Sequence, residues 1–201
     1  MDWIRKSFEA AGLTQHPTGR HLDAVQNRFG GAVFLCLDVS GSMHGERIRQ
    51  AVLGCRTFIR EALAARYRVG LVLWHHDIEA STELTADAVP LMKLLDGAVA
   101  SGGNAVVPTL SFCDKRLRDR RGDRVVAIFG DGDLGPAQAA ASKAAELREH
   151  NIRIITCGLG EASARELDTI SSETARTPRR ADAHNISGAI AAMASTLRRQ
   201  P

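Results

Sequence analysis

Four nearly uninterrupted apolar runs, separated by stretches of helical periodicity, constrain this chain more than any other feature. They are Ala32-Val33-Phe34-Leu35-Cys36-Leu37, Val69-Gly70-Leu71-Val72-Leu73-Trp74, Arg124-Val125-Val126-Ala127-Ile128-Phe129 and Ile152-Arg153-Ile154-Ile155-Thr156-Cys157. A strand covered on one face alternates apolar and polar residues. A strand covered on both faces has no polar side to show, which is the pattern of a parallel sheet flanked by helices. The intervening segments supply those helices. Glu46 to Arg66 carries Ile48, Val52, Cys55, Ile59 and Leu63 on one stripe, the 3.6-residue period of an amphipathic helix.

Further helices are predicted over Ala86 to Val99, Val107 to Leu117, Pro136 to His150, Ser163 to Glu173 with Ser163 as its cap, and Ile186 to Arg198. Ile78 to Leu84 alternates loosely and reads as a short antiparallel edge strand, and a short sixth strand is expected near Arg179 to Ala181. The expected fold is α/β, a doubly wound, mostly parallel, Rossmann-like sheet of about six strands with one antiparallel edge strand, flanked by helices. Residues 1–31 read as an N-terminal helical extension, broken by Pro17 and Gly19, and 32–198 as the domain.

Composition narrows the function. With 201 residues and 44% hydrophobic content, the chain can bury one sizeable α/β core. A net charge of +3 and an aromatic content of 4% lack the charge density and the stacking surface of a nucleic-acid binder. No apolar run approaches the roughly 20 residues of a membrane span, and Met1 to Lys6 has no signal-peptide core. Cys36, Cys55, Cys113 and Cys157 form no CxxC pair and fall in apolar patterns, as small buried hydrophobes do in a reducing compartment. The expectation is a soluble cytoplasmic protein.

The chemistry lies at the ends of two of the apolar runs. Asp38-Val39-Ser40-Gly41-Ser42-Met43 follows the first, and Asp38, Ser40 and Ser42 are spaced by two, so one extended or turning backbone can aim three oxygens the same way. Gly130-Asp131-Gly132-Asp133 follows the third. In open α/β sheets, ligands bind beyond the carboxyl ends of the strands. Two carboxylates and several hydroxyls converging there make a hard-oxygen site suited to Mg²⁺ or Mn²⁺ rather than zinc or copper.

These residues resemble the metal-ion-dependent adhesion site (MIDAS) of the von Willebrand factor A family. Asp38-x-Ser40-x-Ser42 is similar to its first motif, Gly102-Gly103-Asn104 to its Gly-Gly-Thr loop, and Phe129-Gly130-Asp131-Gly132 to its second acidic motif, in the family's order and spacing. The resemblance extends from Ala32 to Leu197. It implies Asp38, Ser40, Ser42 and Asp131 as metal ligands, with Asn104 at the family's Thr position. An Asn carbonyl oxygen is an acceptable hard ligand; Ser101 and Thr109 are the alternatives. Gly130 also stands where the family often has Thr.

The function so implied is metal-dependent protein–protein interaction, with a partner Glu or Asp completing the coordination of the ion. The chain also resembles stand-alone bacterial A domains of the TerY-like and MoxR-associated groups, a resemblance that implies an adaptor in a multi-protein stress or conflict system. An AAA+ ATPase is among the partners implied, and the effector is expected to be a separate protein. The rival reading is a haloacid-dehalogenase-like phosphatase, which needs a second Asp where Ser40 stands. A P-loop NTPase lacks its GxxxxGK[ST], and a serine hydrolase its GxSxG.

Other features carry plainer expectations. His75-His76-Asp77 reads as a solvated loop near the metal face, Asp133 as a turn residue or a second neighbour of the ion, and His44 as an exposed capping-turn residue. The five arginines from Arg116 to Arg124 read as a solvated helix end and loop. Arg121-Gly122-Asp123 spells an adhesion tripeptide by coincidence.

Overall fold

The computed structural model describes residues 31–173 and 179–197. The extension expected over 1–31 therefore lies, but for Gly31, outside the described residues, as does Arg198.

In chain order the elements are β1 (Ala32–Asp38), a 3-10 turn (Gly41–Met43), α1 (Glu46–Ala64), β2 (Arg68–Trp74), β3 (Ile78–Ser81), α2 (Ala88–Asp96) and α3 (Val107–Leu117). Then come β4 (Arg124–Gly130), α4 (Ala137–Glu149), β5 (Arg153–Leu159), α5 (Glu161–Asp168), β6 (Arg180–Ala181), α6 (Ile186–Met193) and a 3-10 turn (Ala194–Thr196). The six strands lie in the order β3-β2-β1-β4-β5-β6. β3 alone runs antiparallel, against β2; the other pairs are parallel. This is the doubly wound Rossmann-like sheet the sequence predicts.

β1 shows why an uninterrupted apolar run was needed. Val33, Leu35 and Leu37 face one core with α1, α2 and α6, whereas Ala32, Phe34 and Cys36 face the other with α3 and α4. The period-2 alternation of a strand sends successive side chains to opposite layers, and here both layers are covered. On the first face α1 packs closely on α6: a Cβ built on Gly54 would lie 2.7 Å from the Ser187 carbonyl oxygen and 2.8 Å from Ile190 Cβ. On the second, α3 is tied to α4 by Asp114, which is fully buried. It accepts hydrogen bonds from Arg118 (2.5 Å), Lys143 (3.0 Å) and His150 (2.7 Å). At the amino-terminal end of the sheet, Asp123 accepts two hydrogen bonds from Arg153, at 2.9 and 2.6 Å, and one from the Tyr67 hydroxyl at 2.5 Å. The Arg-Gly-Asp aspartate is thus spent inside the protein.

Several boundaries differ from expectation: the helix expected over Ala86–Val99 spans Ala88–Asp96, and the one expected over Ile186–Arg198 ends as an α-helix at Met193. Edge strand β3 ends at Ser81, and only an isolated bridge between Val69 and Thr85 continues the pairing. The helix expected over Ser163–Glu173 runs from Glu161 to Asp168 behind Gly160, which has φ +85°. Ser163 is therefore inside the helix rather than capping it. The arginine-rich segment is less solvated than expected: Arg116 lies 3.6 Å over the Phe112 ring, Arg118 holds Asp114, and Arg124 donates to the Arg118 carbonyl.

Candidate functional site

The chain leaves β1 on one side for β2 and returns on the other side as β4, so β1 and β4 flank the point where the winding reverses. A crevice forms beyond the carboxyl ends at such a switch point. Asp38 ends β1, and Asp131 directly follows β4.

Three loops meet over this crevice, and backbone hydrogen bonds join them. The Gly41 amide donates to the Gly102 carbonyl at 3.1 Å and the Ser101 amide to the Val39 carbonyl at 2.7 Å, joining the first loop to the Gly-Gly loop. The Val106 amide donates to the Leu134 carbonyl at 3.1 Å, joining the Gly-Gly loop to the loop after β4.

The side chains converge within this frame. Asp38 is fully buried; one carboxylate oxygen accepts from the Ser40 amide at 2.8 Å and the other from the Asp131 amide at 3.2 Å. Ser40 Oγ and Ser42 Oγ are 3.0 Å apart, and the Ser42 hydroxyl donates to the Asp131 carboxylate. Asn104 Nδ2 donates to the other Asp131 oxygen at 3.0 Å. Its Oδ1 is buried and has no hydrogen-bond partner. The five residues singled out from the sequence thus form one connected cluster. Ser101 is exposed, with only its amide serving the loop frame, and Thr109 is fully buried on α3.

The electrostatics of the cluster are unbalanced. Burial pushes the Asp38 carboxyl up to about 6; hydrogen bonds from Ser40 oppose that rise, and the charge of Asp131 adds to it. Among the described residues, no Lys or Arg pairs with Asp38 or Asp131. Two adjacent carboxylates, two hydroxyls and an unsatisfied amide oxygen are the donor chemistry of a hard divalent cation. The residues present therefore fit such an ion. Gly130 belongs to this fit: a Cβ there would stand 2.8 Å from Asp38 Oδ2.

Two supporting residues escaped sequence reasoning. Ser163, one turn into α5, donates its hydroxyl to the Asp131 carbonyl oxygen. It also packs on Gly132, where φ is +98° and a Cβ would fall 2.4 Å from Ser163 Cα. His75, expected in a solvated loop, is buried. Its Nδ1 accepts from the Asp77 amide at 3.1 Å, which leaves Nε2 to donate to Glu79 at 3.0 Å. Its carbonyl accepts from the Ala105 amide at 2.9 Å, and its ring stacks on exposed His76 at 4.3 Å. The pair supports the Gly-Gly loop. Only tertiary packing reveals either role. Asp133 is exposed and accepts from the Gly135 amide at 2.9 Å, as a turn residue does. His44 is exposed too, its ring donating to the Gly41 carbonyl at 2.8 Å.

The model of the von Willebrand factor type A domain matches residues 33–133, half of the chain and all three loops of the site. The chain belongs to the von Willebrand factor type A family. The vWF domain of the type V pili tip protein Mfa5 from Porphyromonas gingivalis has a similar fold, with a TM-score of 0.74 at 13% identity over 84% of this chain and 95% of that one. Proximal thread matrix protein 1 from the mussel byssus, in a structure with a zinc-occupied MIDAS motif, gives a TM-score of 0.65 at 13% identity, over 83% of this chain and 46% of that one. At such identities the likeness concerns the fold. The cell shape-determining protein MreC of Cereibacter sphaeroides is 30% identical over 157 residues, 73% of this chain, and the chain spans about half of that relative's length (52%). The A-domain assignment gives no support to the haloacid-dehalogenase alternative. No described helix is long and apolar enough to cross a membrane.

Proposed function

We propose that this A domain is a metal-ion-dependent protein-interaction module. In this reading Asp38, Ser40, Ser42 and Asp131 hold one Mg²⁺ or Mn²⁺, directly or through water. The Asn104 carbonyl oxygen takes the place of the family's Thr hydroxyl. The observation that carries the reading is the convergence of Asp38, Ser40, Ser42 and Asp131 from two strand ends, with no Lys or Arg among the described residues paired to either carboxylate. The mussel protein with zinc in its motif is consistent with a divalent site; the all-oxygen donor set here favours the harder ions.

When bound, such an ion supplies an electrophilic position that a partner's Glu or Asp can fill. The chain's own residues set that position in place. Asp38 is held by two backbone amides, Ser42 orients one Asp131 oxygen, and Asn104 the other. Turnover is not expected. The Ser40 and Ser42 hydroxyls are engaged with each other and with Asp131, and the His44 ring is engaged with the Gly41 carbonyl rather than poised as their base. We further place the domain, residues 32–198, in a bacterial multi-protein stress or conflict system, with an AAA+ ATPase among the candidate partners. The four free, buried cysteines suit the reducing cytoplasm.

Calorimetry of Mg²⁺ and Mn²⁺ binding tests the reading. One ion should bind the wild-type chain, and Asp38→Ala should abolish binding. Affinity retained in that variant would remove the site. Capture of a partner should disappear with EDTA and return with Mg²⁺.

A further inference from the structure

The first loop brings a guanidinium to the edge of the site. Arg47, the second residue of α1, folds back and donates from one terminal nitrogen to the Ser42 carbonyl oxygen at 3.0 Å. Ser42 is the exposed member of the cluster, and its hydroxyl sits on Asp131. The nearest acid in sequence is unavailable to Arg47: one Glu46 oxygen is taken by Arg49, at 2.9 and 2.7 Å, and the other by Gln50 at 2.8 Å. Among the described residues no carboxylate lies within ion-pair distance of Arg47, whereas Arg49, Arg56, Arg118, Arg153, Arg165 and Arg179 all have one. On the β4 side of the site the exposed charge is the opposite one, Asp133. Arg47 thus stands as a cation on the Ser42 side of the cluster, and Asp133 as an anion in the loop that carries Asp131.

A guanidinium anchored through one nitrogen keeps further donors for a second acceptor, and its planar fork matches a carboxylate. The charges within the site cancel when two carboxylates face a divalent ion, so the charge of Arg47 is not consumed there. Consecutive same-face residues of an extended peptide stand roughly 7 Å apart. An acidic pair at that spacing can offer one carboxylate to the ion and the other to the guanidinium that Ser42 holds beside the cluster.

We propose that Arg47 makes this site selective for a partner segment with two acidic residues, one for the metal position and one, two residues along, for the Arg47 guanidinium. The inference rests on the metal-bridge reading above. It identifies the partner as an extended acidic segment rather than a lone Glu or Asp, entering with its second acid toward α1 and away from Asp133.

The test is an NMR titration of the full chain, at saturating Mg²⁺ and physiological salt, with acetyl-Gly-Glu-Gly-amide and acetyl-Glu-Gly-Glu-amide. Two equivalent carboxylates give the second peptide a twofold advantage by number alone. The expected advantage for the wild type is roughly fivefold to tenfold, in the range of a solvent-exposed charge-assisted pair. In Arg47→Ala the ratio should fall to the statistical value, and in Arg47→Lys it should lie between. A ratio of two or less in the wild type, with both peptides binding in an Mg²⁺-dependent manner, overturns the role of Arg47 and leaves the metal bridge standing. The wild-type ratio surviving in Arg47→Ala does the same. Failure of both peptides to bind the Mg²⁺-loaded wild type overturns the metal bridge, and the inference with it.

Discussion

The Ser163 hydroxyl donates to the main-chain carbonyl of Asp131, so a residue from α5 fixes the backbone of the acidic loop that follows β4. The bond leaves the Asp131 carboxylate free for Ser42 and Asn104. Groups that orient a ligand from behind commonly matter almost as much as the ligand itself.

Ser163→Ala should therefore lower Mg²⁺ affinity by about tenfold while costing only about 1 kcal/mol of stability. Calorimetry and a urea melt on the same variant separate the two. An unchanged isotherm would show that the loop keeps its shape without the bond.

Asn104 offers a sharper discrimination. Its buried Oδ1 has no hydrogen-bond partner, and its amide nitrogen holds Asp131. Asn104→Ala should weaken metal binding, whereas Asn104→Thr, which restores a hydroxyl, should keep most of it. Wild-type affinity in Asn104→Ala would remove the Gly-Gly loop from the proposed metal site and turn attention to Ser101.

Gly130→Ala should damage the site without removing a single donor. The added methyl would stand 2.8 Å from Asp38 Oδ2 and 3.1 Å from Asp38 Cβ, forcing the β1 and β4 ends apart. Loss of Mg²⁺ binding with the fold retained by far-UV circular dichroism is the expected result. Normal binding would mean that the strand ends can separate freely.

The Asp114 cluster predicts a pH effect on stability remote from the site. Burial would push this carboxyl up, but hydrogen bonds from Lys143 and His150, with the charges of Lys143 and Arg118, outweigh burial and hold it below its usual range. A depressed folded-state value gives stability that is complete above the unfolded value of about 4 and is lost as pH falls through the folded one. Asp114→Asn should cost about 2 kcal/mol at neutral pH and flatten the acid limb of the stability profile. An acid limb identical to wild type would place the acid sensitivity elsewhere.

Much of the fold was legible because both-face burial writes itself into β1, β2, β4 and β5 as apolar runs, and α1 into a clear stripe. The acidic motifs were legible because strand ends place residues predictably: Asp38 and Asp131 had to lie at one end of a parallel sheet. Ser163 was not legible, since a serine three residues past a glycine reads as a cap until the helix is seen to begin at Glu161. Nor was the burial of His75, which depends on Glu79, Asp77 and a loop some thirty residues away closing over one ring. Asp114 was hidden for the same reason: its partners Lys143 and His150 come from another helix. Periodicity records which face is covered, not which polar group meets which.

The sheet ends in two very short borders, β3 with four residues and a register shift against β2, and β6 with two. A long bare border invites strand-by-strand growth into a neighbouring copy. Among the described residues so few backbone donors and acceptors face outward in line that such growth has little to template on. A partner meeting these described borders would have to be recognised by side-chain surfaces, where contacts can be selective and reversible.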